Sequence, residues 1–255
     1  MAGRLDGKVA IVTGASSGIG RTTALAFARE GAAVVVAARR EAETGATAQA
    51  IRDAGGRAVA ARADVSSEAD VRALVEAAVR EFGGLDVAVN NAGIFGAEGP
   101  VHQVPAAYWD AIVGTNLKGT WLCMKHEIPA MLQRGGGSIV NVASTAGLAG
   151  WADAPLYATT KFGVVGLTKS AALQYAPLGI RINAVCPAFT MIESIESMVS
   201  QAPAAGQRLA ATIPLGRIGS MDEVAEAALW LASDAASFCV GDALVLDGGQ
   251  TSGLW

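Results

Sequence analysis

The chain has 255 residues, of which 52% are hydrophobic and 16% charged, so it can build a large core and is not expected to be disordered. Its length fits one large α/β domain or two small ones. The formal net charge of −4 gives no electrostatic reason to expect nucleic acid or an anionic membrane as a partner.

The first predicted strand leads into a glycine-rich turn. Residues 9–12 form a short apolar run, typical of a strand buried on both faces of a parallel sheet. Residues 13–20 hold three glycines, and an apolar-periodic helix follows to about Glu30. This context favours a dinucleotide phosphate loop, because glycine backbone approaches a diphosphate closely and a helix start offers it free N–H groups. A tight turn that uses glycine for backbone reasons alone is the alternative.

The second predicted strand, Ala33–Ala38, ends in two arginines, Arg39 and Arg40. In a dinucleotide-binding sheet, a carboxylate at this point binds the adenosine 2′-hydroxyl, whereas an arginine suits a 2′-phosphate. The arginine pair therefore favours NADP over NAD. The alternative is that both side chains only solvate the strand end.

Strands and helices alternate through the rest of the chain. Ser67 with Asp70, and Ser220 with Glu223, have the spacing of helix capping boxes. The alternation predicts a single α/β domain with a doubly wound, parallel, seven-stranded sheet and helices on both faces. The remaining strands are predicted at 58–63, 85–89, 138–142, 181–185 and 243–246, with helices at about 41–54, up to Phe82, at 105–132 and after Tyr157.

Unusual residues cluster where predicted strands end. Open parallel sheets bind ligands at the carboxyl ends of their strands, so this placement indicates a site rather than packing. The cluster consists of the glycine-rich turn, Arg39, Asp64, residues 91–93, Ser144 and Pro187.

Tyr157 and Lys161 lie four residues apart, on one face of a helix and about 6 Å apart along its axis. An ammonium fixed beside a phenol favours the phenolate and lowers the tyrosine pKa, which makes an acid/base that works near neutral pH. By themselves the two residues fit a packed aromatic ring and a solvated lysine better than a catalytic pair.

Taken together, four motifs resemble those of the classical short-chain dehydrogenases/reductases, over about residues 5–249. The resemblance implies a Rossmann-type fold and an NAD(P)-dependent oxidoreductase that moves hydride between nicotinamide and a carbonyl or secondary alcohol. The motifs are Thr13-Gly14-x-x-x-Gly18-x-Gly20, Asn90-Asn91-Ala92-Gly93, Ser144 and Tyr157-x-x-x-Lys161.

The resemblance also implies catalytic roles. Tyr157 would be the acid/base, and Lys161 would lower its pKa and bind the nicotinamide ribose. Ser144 would hydrogen-bond the substrate oxygen. Asn116 would hold a water in a proton relay to Lys161, and a hydrogen bond between helices is the alternative for this residue.

The cofactor would lie along the strand ends by the same resemblance. The implied contacts are Gly14, Ser16, Ser17, Gly18 and Ile19 at the diphosphate; Arg39 and Arg40 at the 2′-phosphate; Asp64 and Val65 at the adenine; Asn91, Ala92 and Gly93 at the ribose region; and Pro187 and Thr190 near the nicotinamide.

Four positions depart from the family pattern, and one of them, Thr160 before Lys161 where serine is frequent, is expected to have little consequence. Ser17 stands where many NADP-preferring members have a basic residue, which leaves phosphate recognition to Arg39 with help from Arg40. Ala188 replaces a glycine, and Ile192 replaces a threonine that would contact the carboxamide. That contact is expected to shift to Thr190 and backbone groups.

The resemblance places a substrate lid at residues 188–213, with an apolar inner face. This favours a hydrophobic ketone or alcohol, including a 3-oxoacyl-like one, unless these residues only pack the lid onto the body. The predicted substrate residues are Met191, Ile192 and Ile195 on the lid, with Met198 and Val199 beside them, and Phe95, Trp151 and Leu156 on the body.

We therefore predict an NADP(H)-dependent ketone reductase. An NAD-dependent alcohol dehydrogenase working in the oxidising direction is the nearest alternative, and a non-catalytic dinucleotide sensor is a weaker one. The resemblance also implies a homotetramer, for which Trp109, Trp121, Leu254 and Trp255 supply apolar surface.

Metal binding, a disulfide framework and membrane insertion are not expected. The three cysteines are far apart and the two histidines match no metal motif, so a metal is not predicted. The amino end lacks a signal-peptide pattern, and no uncharged apolar run approaches the roughly 20 residues that span a bilayer. We expect a cytoplasmic location.

Overall fold

A parallel seven-stranded sheet in the order β3-β2-β1-β4-β5-β6-β7 forms the centre of the protein. The computed structural model describes residues 3–95 and 99–253. The predicted α/β architecture is confirmed. The strands are β1 (Val9–Thr13), β2 (Ala33–Ala38), β3 (Arg57–Arg62), β4 (Val87–Asn90), β5 (Gly137–Val142), β6 (Ile180–Pro187) and β7 (Ala243–Leu246).

Helices cover both faces of this sheet, because alternate side chains of the buried strands point to opposite sides. From β1, Val12 packs into a core with Phe27 and Leu229, whereas Ile11 packs into a second core that includes Met131. The helices are α1 (Gly18–Arg29), α2 (Glu41–Asp53), α3 (Glu68–Phe82), α4 (Ala106–Ile112), α5 (Gly119–Gln133), α6 (Pro155–Tyr175), α7 (Glu193–Gln201), α8 (Pro203–Ala211) and α9 (Met221–Ala232).

The segment predicted as one helix at 105–132 is less regular than expected. A π-helical stretch, Val113–Lys118, joins α4 to α5. The wider turns of a π-helix are common at functional sites, and here the stretch contains the predicted relay residue Asn116.

The two predicted capping boxes differ in outcome. Ser220 and Glu223 form a complete box at the start of α9. At α3, the Ser67 hydroxyl accepts from the Asp70 N–H, but the Asp70 carboxylate instead accepts from the backbone N–H of Asp64. The second bond ties the end of β3 to the start of α3.

The order of the strands reverses between β1 and β4, which follow each other in space but not in sequence. The helices after β1 and β4 therefore diverge and leave a crevice at the carboxyl ends of these strands, the usual ligand position in such sheets. In the described part of the chain, no helix is long and apolar enough to cross a membrane.

Candidate active site

A cleft of about 1060 Å³ opens at the carboxyl ends of the strands. Its volume is at the upper end of the range for small-molecule sites. It brings together Ile19 from the glycine-rich turn, Asn91 after β4, Ser144 after β5, and Tyr157 and Lys161 from α6. Residues that are up to 142 positions apart in sequence therefore share one cavity, as the strand-end clustering predicted.

Helix α6 presents Tyr157 and Lys161 to the cleft from the same face. Pro155 occupies the first turn of the helix, where its missing N–H costs nothing. Lys161 is buried, and its Nζ donates to the carbonyl of Val142 at 2.7 Å. The same Nζ lies 5.5 Å from the centre of the Tyr157 ring. The ammonium is thus anchored to the end of β5, beside Ser144.

The Tyr157 pKa was predicted to fall, but in the structure the surrounding protein raises it. Burial raises the pKa of Tyr157 to about 12, and a hydrogen bond with Ser144 only partly opposes this effect. Burial also lowers the pKa of Lys161 to about 8. Desolvation penalises both charged forms, the phenolate and the ammonium. At neutral pH Tyr157 is therefore a neutral phenol, able to donate a proton.

Ser144 lies where β5 ends, with extended backbone and a buried side chain. Its Oγ accepts a hydrogen bond from the N–H of Ala146 at 3.1 Å. That bond fixes the oxygen and leaves the hydroxyl proton for the Tyr157 oxygen or for a substrate oxygen in the cleft.

The Asn116 side chain forms a hydrogen bond between helices, which was the alternative to a role in a water relay. Its Oδ1 accepts from the N–H of Ile94 at 2.8 Å, and its Nδ2 donates to the Ile94 carbonyl at 2.9 Å and to Thr160 Oγ1 at 3.3 Å. The buried amide thus joins the π-helical stretch, the chain after β4 and the helix that carries Lys161. A role in a water relay stays a prediction.

The glycine-rich turn and the Asn91 motif form one packed unit. Asn91 Nδ2 donates to the carbonyls of Thr13 at 2.9 Å and Gly14 at 3.3 Å. A Cβ on Gly14 would lie 2.7 Å from this Nδ2, and one on Gly20 would lie 2.4 Å from it. Gly14 also has φ of 67°, in the left-handed region that favours glycine. These glycines let the turn lie flat against the end of β4.

An acidic lid residue occupies the amino end of α1. Glu193, the first residue of α7, accepts a hydrogen bond from the Gly18 N–H through Oε1 at 2.9 Å. Unpaired N–H groups at a helix start bind anions, and here a carboxylate already takes the position that a phosphate oxygen would take. The turn therefore fits a dinucleotide diphosphate. No sequence pattern predicts this contact between residues 175 positions apart.

At the adenosine end, Arg40 rather than Arg39 contacts the glycine-rich turn. Arg40 Nη2 donates to the hydroxyls of Ser16 at 2.9 Å and Ser17 at 2.6 Å. Arg39 is exposed. The guanidinium of Arg40 thus stands beside the two serines of the turn, and the assignment of Arg39 and Arg40 to a 2′-phosphate stays a prediction.

The residues predicted near the adenine have different surroundings. Burial alone would raise the pKa of Asp64, but hydrogen bonds from Ser66 and the charge of Arg39 hold that pKa below its usual value. Val65 is buried in a small core that Ala92 packs against. Asp64 is therefore an anchored carboxylate, whereas Val65 and Ala92 support the floor of the site.

Aromatic rings surround Tyr157. The ring of Phe95 lies 5.1 Å from that of Tyr157 and 5.4 Å from that of Trp151, measured between centroids. Trp151 in turn contacts Tyr157 at 6.1 Å and Phe189 at 5.5 Å, edge to face. Phe95, Trp151 and Phe189, which we call the aromatic wall, all line the cleft. Phe189 was not predicted, because its place depends on how β6 meets the lid.

Two predicted substrate residues are outside the cleft. Leu156 is buried on α6 and does not line the cavity, since Tyr157 takes the neighbouring face. Met191 is also absent from the lining; its backbone N–H pairs with the Gly219 carbonyl, which turns the chain away. Ile192 and Ile195 do line the cavity, as predicted.

The two departures near the nicotinamide cause no backbone strain. No non-glycine residue in the described chain has positive φ, so Ala188 needs no glycine conformation. Thr190 is buried, lines the cleft with Pro187, and donates its hydroxyl to the Ala188 carbonyl at 3.1 Å. Its hydroxyl oxygen stays available as an acceptor.

Comparison with known proteins supports the family suggested by the motifs. Residues 14–251 match a family model described as enoyl-(acyl carrier protein) reductase. The chain is 45% identical over 245 residues to cis-4-hydroxycyclohexanecarboxylate dehydrogenase of Sinomonas cyclohexanicum, covering 96% of this chain and 97% of the relative. It is 40% identical over 252 residues to cyclohexanol dehydrogenase of an Acinetobacter species, strain SE19, covering 99% and 98%.

Reductases are similar to the same extent. A-factor type gamma-butyrolactone 1'-reductase (1S-forming) of Streptomyces virginiae is 43% identical over 250 residues, with 98% of this chain and 97% of the relative covered. The crystal structure of levodione reductase superposes with a TM-score of 0.93 at 34% identity, covering 98% of this chain and all of that one. The chain therefore belongs to the short-chain dehydrogenase/reductase family, and it is an NAD(P)-dependent oxidoreductase that acts on CH–OH groups.

Proposed function

We propose that this enzyme interconverts a ring-shaped hydrophobic ketone and its secondary alcohol with NADP(H), and that it works as a ketone reductase at neutral pH. The aromatic wall beside Tyr157 carries the proposal. Its three rings offer flat apolar surface at the proton donor, which suits a compact carbocycle better than a sugar. Two relatives, named for cyclohexanol and for a hydroxycyclohexanecarboxylate, support the same substrate class.

The proposed chemistry uses Tyr157 as the acid. The neutral phenol, with its pKa raised to about 12 by burial, donates a proton to the carbonyl oxygen. The Ser144 hydroxyl donates a hydrogen bond to the same oxygen and stabilises the charge that develops there. The Lys161 ammonium, close to the ring, stabilises the phenolate that results.

The cofactor contacts follow from the same positions. We assign the diphosphate to the amino end of α1 around Gly18 and the nicotinamide to the region of Pro187 and Thr190. Nicotinamide supplies or accepts the hydride. Lys161 would hold the neighbouring ribose, and the apolar lid residues Ile192 and Ile195 would exclude water from the reacting carbon.

The NADP preference rests on charge at the end of β2. The strand closes with Ala38 and not with a carboxylate, and Arg39 and Arg40 both follow. Arg40 already binds two hydroxyls of the phosphate turn. A bidentate guanidinium is the side chain best suited to a phosphate.

The nearest alternative is an NAD-dependent alcohol dehydrogenase that works in the oxidising direction. The names of the two carbocycle relatives, both dehydrogenases, favour it. Initial rates separate the two proposals: cyclohexanone with NADPH and with NADH, and cyclohexanol with NADP and with NAD. A higher kcat/KM with NADPH and ketone supports the main proposal, and a higher value with NAD and alcohol supports the alternative.

A substrate panel tests the ring preference. Cyclohexanone, a linear ketone of equal carbon number and a 3-oxoacyl thioester present the same reacting group on different shapes. We expect the ring ketone to have the highest kcat/KM, because only a ring can cover the aromatic wall. A higher kcat/KM for the thioester would show that the substrate class is 3-oxoacyl thioesters and not carbocyclic ketones.

We also propose a cytoplasmic homotetramer. Trp109, Trp121 and Phe162, on α4, α5 and α6, each expose at least 44% of their surface, which is unusual for large apolar side chains unless another chain covers them. Leu254 and Trp255 lie outside the described residues. Sedimentation velocity tests the assembly, and a monomer at micromolar concentration would contradict it.

A further inference from the structure

One wall of the cleft carries a cation that no acidic group balances. Among the described residues that line the cavity, Lys161 and Arg208 are the only charged ones. Lys161 is buried and bound to the Val142 carbonyl, next to the reacting centre. The Arg208 side chain has neither an ion pair nor a hydrogen bond within the described chain. The cavity as a whole is therefore positively charged and apolar.

The position of Arg208 on α8 directs it into the cavity. Four residues line the cleft from this end of the lid: Ala205, Arg208, Leu209 and Thr212. Their spacing of three and four residues places them on one face of the helix. Gly206, on the neighbouring face, packs against Val199 of α7 and holds that orientation, because a Cβ there would lie 2.8 Å from a Val199 methyl. Arg208 is thus part of the cleft wall, although its side chain is exposed to solvent there.

A nearby arginine shows the contrast. Arg217, nine positions later in the chain, donates to both carboxylate oxygens of Glu223, at 3.0 and 2.6 Å. Its guanidinium is engaged by the protein itself. The donors of Arg208 are not, and the side chain lies exposed at the cleft. A ligand anion that covered it there would form a charge-assisted bond.

From these observations we propose that Arg208 binds a carboxylate on the substrate, so that the enzyme prefers cyclic keto or hydroxy acids to uncharged ring ketones. This inference rests on the proposed function for the identity of the ring. The aromatic wall covers the ring, Tyr157 and Ser144 hold the reacting oxygen, and Arg208 on the lid side holds the acid group by a bidentate contact. A substrate carboxylate would also fasten α8 over the occupied cleft.

A cofactor phosphate is the other anion that could reach an arginine. The positions assigned to phosphate already have donors at Gly18 and at Arg40. The two sources predict different effects of the same variant. Loss of a substrate contact changes KM for the acid alone, whereas loss of a phosphate contact changes the cofactor Kd for every substrate.

The test compares 4-oxocyclohexanecarboxylate with 4-methylcyclohexanone in the wild type, Arg208→Gln and Arg208→Lys. Arg29→Gln is the matched control, because it removes an exposed arginine of α1 that does not line the cleft. We expect Arg208→Gln to raise KM for the acid roughly tenfold or more, with kcat and the neutral ketone within about twofold. Arg208→Lys should recover part of the loss, since it keeps the charge but not the bidentate geometry.

A second measurement separates this inference from the reaction assignment. Calorimetric titration of the enzyme with cyclohexanecarboxylate and with cyclohexylmethanol needs no turnover. If neither ketone reacts but the acid binds and Arg208→Gln weakens it, the carboxylate site stands and the proposed reaction fails. Equal changes for acid and neutral ligands, a changed cofactor Kd, or a wild type that does not prefer the acid would each overturn the proposal.

Discussion

Removing the Glu193 carboxylate should strengthen cofactor binding. Its Oε1 holds the Gly18 N–H at 2.9 Å, at the helix start to which we assign the diphosphate. A dinucleotide must displace this contact before its own phosphate can use the N–H. In the variant Glu193→Gln the competing anion is gone, and in Glu193→Ala the competing acceptor is gone as well.

The size of the effect follows from two contributions. An anion at an exposed helix start stabilises by about 0.3–1 kcal/mol. The displaced carboxylate, still close to the diphosphate, repels it by about 1 kcal/mol per unit charge at 4 Å in water. Together they predict a gain of about 1–2 kcal/mol, which corresponds to a roughly 5- to 30-fold lower Kd. High salt should reduce the difference, because both contributions are screened.

Isothermal titration of the substrate-free enzyme with NADPH measures this Kd directly. Glu196→Gln is the matched control, because Glu196 is an exposed carboxylate on the same helix and has no side-chain contact with the glycine-rich turn. We expect its Kd to stay within about twofold of the wild type. If Glu193→Gln also leaves the Kd unchanged, or weakens it, then the carboxylate does not compete with the diphosphate.

Three further predictions concern the cofactor, the pH profile and the glycine-rich turn. Arg39→Asp should raise KM for NADPH much more than KM for NADH. Equal effects in steady-state assays would contradict a 2′-phosphate site at this end of β2. Ketone reduction should slow as the pH rises through about 8. Burial lowers the pKa of Lys161 to about 8, so above this pH the residue loses the charge that stabilises the phenolate. A rate that stays constant from pH 7 to 9.5 would show that this charge does not matter. Gly14→Ala should lower the melting temperature and weaken NADPH binding, because its Cβ would lie 2.7 Å from Asn91 Nδ2 and the φ of residue 14 is 67°. Gly45→Ala is the control: no atom lies within 4 Å of the added Cβ, so this variant should be as stable as the wild type or more stable.

Most of the fold could be predicted from local patterns in the sequence. The fully buried run of β1 and the glycines after it are neighbours in the chain, so their periodicity and turn chemistry could be interpreted without a structure. Tyr157 and Lys161 share a helix face for the same reason. Strand ends shifted by one or two residues, as in β4 and β6, because the last ladder bonds depend on partner strands.

Contacts between distant segments were not predictable in this way. Glu193 meets Gly18, and Phe189 completes the aromatic wall, only because the lid folds over the strand ends. The direction of the Tyr157 pKa shift could not be predicted from the sequence for a related reason. A helix wheel places Lys161 on the same face, but it contains no information on how deeply both groups are buried, and burial sets the direction of both shifts.

The central claim is that Tyr157 donates the proton at a site whose cofactor binding does not depend on it. Tyr157→Phe removes one oxygen and keeps the ring that packs against Phe95 and Trp151. Pre-steady-state reduction of cyclohexanone by bound NADPH, followed at the nicotinamide absorbance, tests it most directly. We predict a rate at least 100-fold below wild type with an NADPH Kd within about twofold. A variant that reduces the ketone at the wild-type rate would contradict the account.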